Sequence, residues 1–198
     1  MRDRAGLFDW SGGHPALDLV NTLDERPFPS PIENLATFGD LVRFTDLAGL
    51  IDRPLARQLA KLSDPSCSLV AKKARKLREH LHEVLQGMHA GRRVAQEDLA
   101  AINHVVQTAH AARTLRTSAS GGLVRHRWSQ PFAADVPLHA CALAVEELLV
   151  EVDRKRIRKC RASDCGVYFV DTSKGHRRQW CSMSNCGNRE KQRRWRAS

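Results

Sequence analysis

Cys160-Arg-Ala-Ser-Asp-Cys165 opens a stretch that runs through Tyr168-Phe169-Val-Asp171-Thr-Ser173 and Arg177-Arg178-Gln-Trp180-Cys181 to Cys186-Gly-Asn-Arg189-Glu-Lys191. It holds two C-x4-C pairs with fifteen residues between them. Two short-loop pairs and a longer excursion meet the needs of a tetrahedral structural site, each pair filling two corners. In a reducing compartment clustered cysteines are metal ligands more often than disulfides. Four thiolates select Zn²⁺ over a hard cation such as Mg²⁺. An iron–sulfur cluster also accepts four cysteines, although nothing in the sequence signals electron transfer. Cys160, Cys165, Cys181 and Cys186 are thus expected to hold one structural Zn²⁺. Cys67 and Cys141 stand alone in apolar helical surroundings and read as small buried hydrophobes.

Charge divides the chain at the same place. From Met1 to Asp153 there are 18 Lys/Arg against 19 Asp/Glu, whereas Arg154 to Ser198 holds 14 Lys/Arg against only Asp164, Asp171 and Glu190. The whole net charge of +10 therefore belongs to the last segment. Such asymmetry points to a polyanionic partner, nucleic acid ahead of a membrane surface. The 198 residues are 42% hydrophobic and 27% charged, ordinary for a globular chain. No apolar run is long enough to span a bilayer or to serve as a signal peptide, so a cytoplasmic protein without membrane association is expected.

Working outward from the cysteines, the rest reads as helical. Apolar residues recur at helical spacing over Asn34–Leu50, Ser66–Ala90, Gln96–Leu115 and Ala134–Val152, with a short helix from Pro54 to Leu62. Leu115 to Trp128 alternates around Ser118-Ala-Ser-Gly-Gly122 and reads as a hairpin. The expected fold is mainly α with one small β-hairpin: a helical N-terminal body, residues 1–152, followed by a small C-terminal zinc-binding module, residues 153–198. Tyr168 and Phe169 are expected on a short strand packed over the metal. A last helix is expected from about Asn185 to Arg196, capped by Ser182 or Ser184.

Catalytic motifs fail on inspection. His82-Glu83 begins like H-E-x-x-H, but Gln86 stands where the second histidine belongs. There is no Gly-x-Ser-x-Gly and no Walker loop. A non-enzyme is expected.

The cysteine stretch, with its aromatics and basic residues, resembles the CGNR zinc finger family. Gly13-His14-Pro15-Ala16-Leu17-Asp18-Leu19-Val20-Asn21-Thr22 resembles the start of the ABATE domain that accompanies such fingers. The resemblance implies a bacterial, stress-induced transcriptional regulator whose finger binds DNA. A basic helix beyond the zinc site agrees with that implication. Arg177, Arg178, Arg189, Lys191, Arg193, Arg194 and Arg196 are the candidate nucleic-acid contacts, with Arg189 equally suited to neutralising the thiolates. His14, Asp18, Asn21 and Thr22 crowd polar groups into an apolar stretch. They read either as a small-molecule effector pocket or as a hydrogen-bonded cluster that pins the N-terminus. A non-catalytic RNA- or ribosome-binding protein is the alternative. Operator, effector and oligomeric state, homo-oligomer included, are not fixed by the sequence.

Overall fold

A computed structural model describes residues 6–117, 121–122 and 124–197. Helix α6 (Val136–Glu151) is the hub. Its residues are apolar nearly all round, from Val136, Leu138, Ala140 and Cys141 to Val145 and Leu148, and such a helix must be enclosed. α1 (Pro15–Val20), α2 (Phe38–Leu47), α4 (Ser66–His89) and α5 (Gln96–Ala111) all pack against it. α3 (Arg53–Leu59) closes the end of α2, its first turn set by the Asp52 cap and Pro54.

Local chemistry fixes the helix limits. Thr37 and Asp40 cap α2 reciprocally: the Asp40 N–H donates to Thr37 Oγ1 at 3.1 Å, and the Thr37 N–H donates to the Asp40 carboxylate at 2.8 Å. α2 is therefore shorter than the expected 34–50 span, because β2 (Ile32–Glu33) pairs with β1 (Leu23–Asp24) just before it. α4 matches its expected span closely and ends before Gly91, whose φ of +65° suits glycine. α5 stops at Ala111 rather than Leu115, since β3 (Arg113–Thr117) takes over and pairs with β4 (Val124–Trp128). That is the expected hairpin; residues 118–120 of its turn, and Leu123, lie outside the described residues.

After a single 3₁₀ turn (Arg154–Arg156), β5 (Ile157–Lys159) pairs antiparallel with β6 (Tyr168–Val170). Successive residues of a strand face opposite sides, and β6 uses both. Tyr168 and Val170 enter the main core, where the Tyr168 ring meets His82 edge-on at 5.8 Å. Phe169 turns the other way, into a small second core with Cys160, Ala162, Cys181 and Cys186. The expectation that Tyr168 and Phe169 both cover the metal is thus half corrected: one strand serves two cores. The last helix also differs from expectation. One wide turn, Met183–Gly187, with Ser182 as cap (3.3 Å from the Asn185 N–H), precedes α7 (Asn188–Ala197).

Candidate metal centre and basic surface

The first cysteine pair grows out of the β5–β6 hairpin. The Cys160 N–H donates to the Val167 carbonyl at 2.9 Å, one step beyond the strand pairing, and the Cys165 N–H closes a turn onto Ala162. The second pair sits at the wide turn before α7, with Cys181 ahead of it and Cys186 inside it. A single backbone bond, Arg161 N–H to Gln179 carbonyl at 3.0 Å, ties the halves together. The four Sγ atoms all lie within 4.8 Å of one another; Cys160, Cys181 and Cys186 are buried, Cys165 is half-buried, and none of the four is in a disulfide. Cys181 Sγ stands 3.8 Å from Cys165 Sγ and 3.6 Å from Cys186 Sγ. Thiolates bound tetrahedrally to Zn²⁺ at about 2.3 Å would be about 3.8 Å apart. Without a cation the set cannot ionise together. Hydrogen bonds from Cys165 and Cys181 hold Cys160 as a thiolate, and that thiolate pushes Cys165 up to about 12 and raises Cys181 as well. Four cysteine sulfurs gathered this closely are compatible with a metal ion.

The basic residues around this centre fall into distinct settings. Arg189 Nη2 donates to Asp164 at 2.8 Å and to Cys186 Sγ at 3.3 Å. Arg193, one turn on, binds the other Asp164 oxygen at 2.5 Å, and also Glu190 at 2.7 Å and Ser163 at 2.8 Å. Asp164 thereby fastens α7 to the first cysteine loop. Arg178 lies over the Phe169 ring at 4.4 Å and donates to the carbonyls of Trp180 and Cys181. Arg177 is exposed; Lys191, Arg194 and Arg196 project along exposed α7, and Lys191 and Arg196 have no ion-pair partner among the described residues. Asp171 is fully buried, with its oxygens taking the N–H and hydroxyl of Ser173 and the N–H of Arg178.

His14, Asp18, Asn21 and Thr22 are brought together as a polar seam, each engaged within the protein. His14 Nδ1 caps α1 by accepting the Ala16 N–H at 3.2 Å. Asp18 accepts the Gly12 N–H at 2.8 Å, and burial pushes its carboxyl up to about 7. A Cβ on Gly12 would come within 2.6 Å of Asp18 Oδ1, so only glycine permits this approach. Asn21 donates to the Tyr168 carbonyl at 2.9 Å and accepts the Tyr168 N–H at 3.0 Å. Thr22 takes a bond from Arg78, a side chain only 3% exposed that is clasped bidentately by Glu33. Of the four, Asn21 also lines a cavity of about 280 Å³ shared with Arg26, Cys165, Cys181 and Arg189.

Two features escaped the sequence. One is the ion-pair chain Glu33–Arg78–Glu79–Arg26, in which Arg78 is buried and Arg26 meets Glu79 at 2.7 Å. Arg78 and Glu79 are neighbours on α4, but Glu33 and Arg26 reach them across 45 and 53 residues of sequence and follow no motif. The other is a cavity of about 420 Å³ between α4, α5 and α6, lined by Leu77, Val105 and Leu138 together with His80, His104, His139 and the charged Lys73, Lys76 and Asp135. No helix is long and apolar enough to cross a membrane among the described residues.

Fold and site define a mainly helical protein carrying a small four-cysteine, zinc-finger-type module. Comparison with protein families agrees on both parts. Residues 13–152 match the ABATE family, described as "putative stress-induced transcription regulator", and residues 156–198 match the CGNR zinc finger. The chain belongs to the ABATE family, with a CGNR zinc finger at its C-terminal end. Neither family is described as enzymatic. A search among curated proteins finds no match.

Proposed function

We propose that this protein is a DNA-binding transcription regulator. Its four cysteines hold one structural Zn²⁺, and the zinc-pinned module of residues 153–198 presents basic side chains to phosphate. The zinc supplies cross-linking alone: it holds the β5–β6 hairpin against the start of α7, which has too little apolar surface to pack unaided. The observation that carries the reading is the fate of the module's acids. Asp164 is bound by Arg189 and Arg193, Glu190 by Arg193, and Asp171 by Ser173 and a backbone N–H. All three are spent inside the module, so its excess positive charge faces outward. Lys191, Arg194, Arg196 and Arg177 are the outward contacts. Arg178 and Arg189 serve the architecture first, and Arg193 does both.

The body of residues 1–152 carries the module on the Asn21 seam and is the place for a small-molecule effector. The cavity between α4, α5 and α6, with apolar, histidine and lysine side chains in its wall, suits such a ligand in volume and lining. Titration of the zinc-loaded protein with duplex DNA over several salt concentrations, with RNA of equal length as competitor, tests the function. Binding that weakens steeply with salt and prefers DNA supports it. Preference for RNA would move the assignment to an RNA-binding protein.

A further inference from the structure

A second basic surface lies away from α7. Two cavities meet where the module joins the body, one of about 330 Å³ and one of about 500 Å³, and both are lined by His89 and Arg158. The first extends to Arg92, just past the end of α4, and to Arg154. The second extends to Arg161 and Arg177 beside the cysteine site. Neither cavity has an aspartate or glutamate in its wall, although Asp and Glu make up 22 of the chain's 198 residues. Cations without counter-charge repel one another, and in a concave wall their fields add rather than disperse.

Arg158 sits where the cavities adjoin. One of its terminal nitrogens donates to the His176 carbonyl at 3.2 Å, while its Nε is screened from solvent and meets no acceptor in the protein. A shielded guanidinium N–H without an acceptor is costly, and a phosphate oxygen entering beside it would relieve that cost. The side chains of Arg92 and Arg154 are exposed and have no ion-pair partner among the described residues.

We infer that the trough from Arg92 through Arg158 to Arg177 seats a run of phosphodiester backbone of duplex DNA, so that the body and the module grip the polyanion jointly. This rests on the DNA-binding reading but adds a contact on the β5 side and enlists the body, rather than relying on α7 alone. A trough of this kind tracks backbone and carries no base readout, so its contribution is independent of sequence.

The test uses the full-length, zinc-loaded protein and the double variant Arg92→Gln/Arg154→Gln, which touches neither the cysteines nor α7. Two titrations are run: duplex DNA at several salt concentrations, and inorganic pyrophosphate by calorimetry. The inference expects log K against log[salt] to flatten by about two. It also expects pyrophosphate binding to weaken at least tenfold, with zinc content and melting temperature unchanged. Lys191→Ala should leave pyrophosphate binding intact. If wild-type protein ignores DNA while pyrophosphate binds and is lost in the double variant, the function proposed above fails and DNA is overturned as the occupant of the trough, which is then a small-anion site only. Unchanged slope and unchanged pyrophosphate affinity in the double variant overturn the trough. So does a flattening seen only with single-stranded RNA.

Discussion

The side-chain amide of Asn21 closes a two-bond ring with the backbone of Tyr168, donating to its carbonyl at 2.9 Å and accepting its N–H at 3.0 Å. Beside it, the Val170 N–H donates to the Gly12 carbonyl at 2.8 Å. The N-terminal segment thus acts as a neighbour to β6, across 147 residues of sequence. Removing the amide leaves a buried backbone donor and acceptor unsatisfied, each costing about 1–3 kcal/mol. Asn21→Ala should therefore destabilise the protein by about 2–4 kcal/mol in a denaturant titration. A loss under about 0.5 kcal/mol would mean that water replaces the amide and the seam is incidental.

Metal removal should reach beyond the module. Because Tyr168 and Val170 sit in the main core while Phe169 packs on the cysteines, loss of the metal loosens a strand that the body also uses. Cys181→Ser, or a strong chelator, is expected to abolish stoichiometric zinc and to lower the melting temperature of the whole chain. Elemental analysis and calorimetry check the two parts. A body transition unmoved by chelation would show the two cores to be uncoupled.

Asp18 gives stability a pH dependence of unusual sign. Burial raises its folded-state value from 3.8 to about 7, so between these values the folded protein holds a proton that the unfolded chain has released. That contribution is full below about pH 4 and fades as pH rises through 7, by on the order of 4 kcal/mol. Asp18→Asn keeps an oxygen for the Gly12 N–H and should flatten this slope while raising stability at neutral pH. Denaturation midpoints at pH 4.5, 6 and 7.5 read it out. If the variant keeps the wild-type slope, another group is responsible.

The arginines of α7 should separate by role. Arg193→Ala removes one clasp from Asp164 and, being exposed, should change stability little. Lys191→Ala and Arg196→Ala should leave stability and zinc content alone while flattening the salt dependence of DNA binding by about one each. Arg189→Ala should weaken zinc retention first, since it donates to both Asp164 and Cys186 Sγ. Zinc release followed with a chelating dye, alongside DNA titrations, distinguishes the three behaviours. Equal effects on zinc from Arg189→Ala and Lys191→Ala would remove the distinction.

Much of this was legible from residue spacing. The two C-x4-C pairs specified the four-sulfur cluster, and helical periodicity placed α4 and α6 within two residues at each end. What could not be read is what β6 does. A three-residue strand has no pattern strong enough to say that Tyr168 faces the body and Phe169 the cysteines; tertiary packing decides it. Asn21 was visible as a polar residue in an apolar stretch, but its partner is a backbone group in another part of the chain, which leaves no trace in side-chain chemistry. Likewise Arg189 and Arg193 share a helix face by spacing, whereas their common hold on Asp164 depends on how α7 is set against the first cysteine loop. The trough around Arg158 escaped for the same reason: its residues come from α4, the 3₁₀ turn, β5 and three loops.

The central claim is that a metal-pinned module turns its uncompensated charge toward DNA. Fluorescence anisotropy of a labelled duplex, titrated with zinc-loaded protein and with the Cys181→Ser variant at four salt concentrations, tests it most directly. Zinc-loaded protein should show a slope of log K against log[salt] of about −4 or steeper, and the variant should lose most of that affinity. A salt-independent affinity, or a variant that binds as tightly and with the same slope, would contradict it.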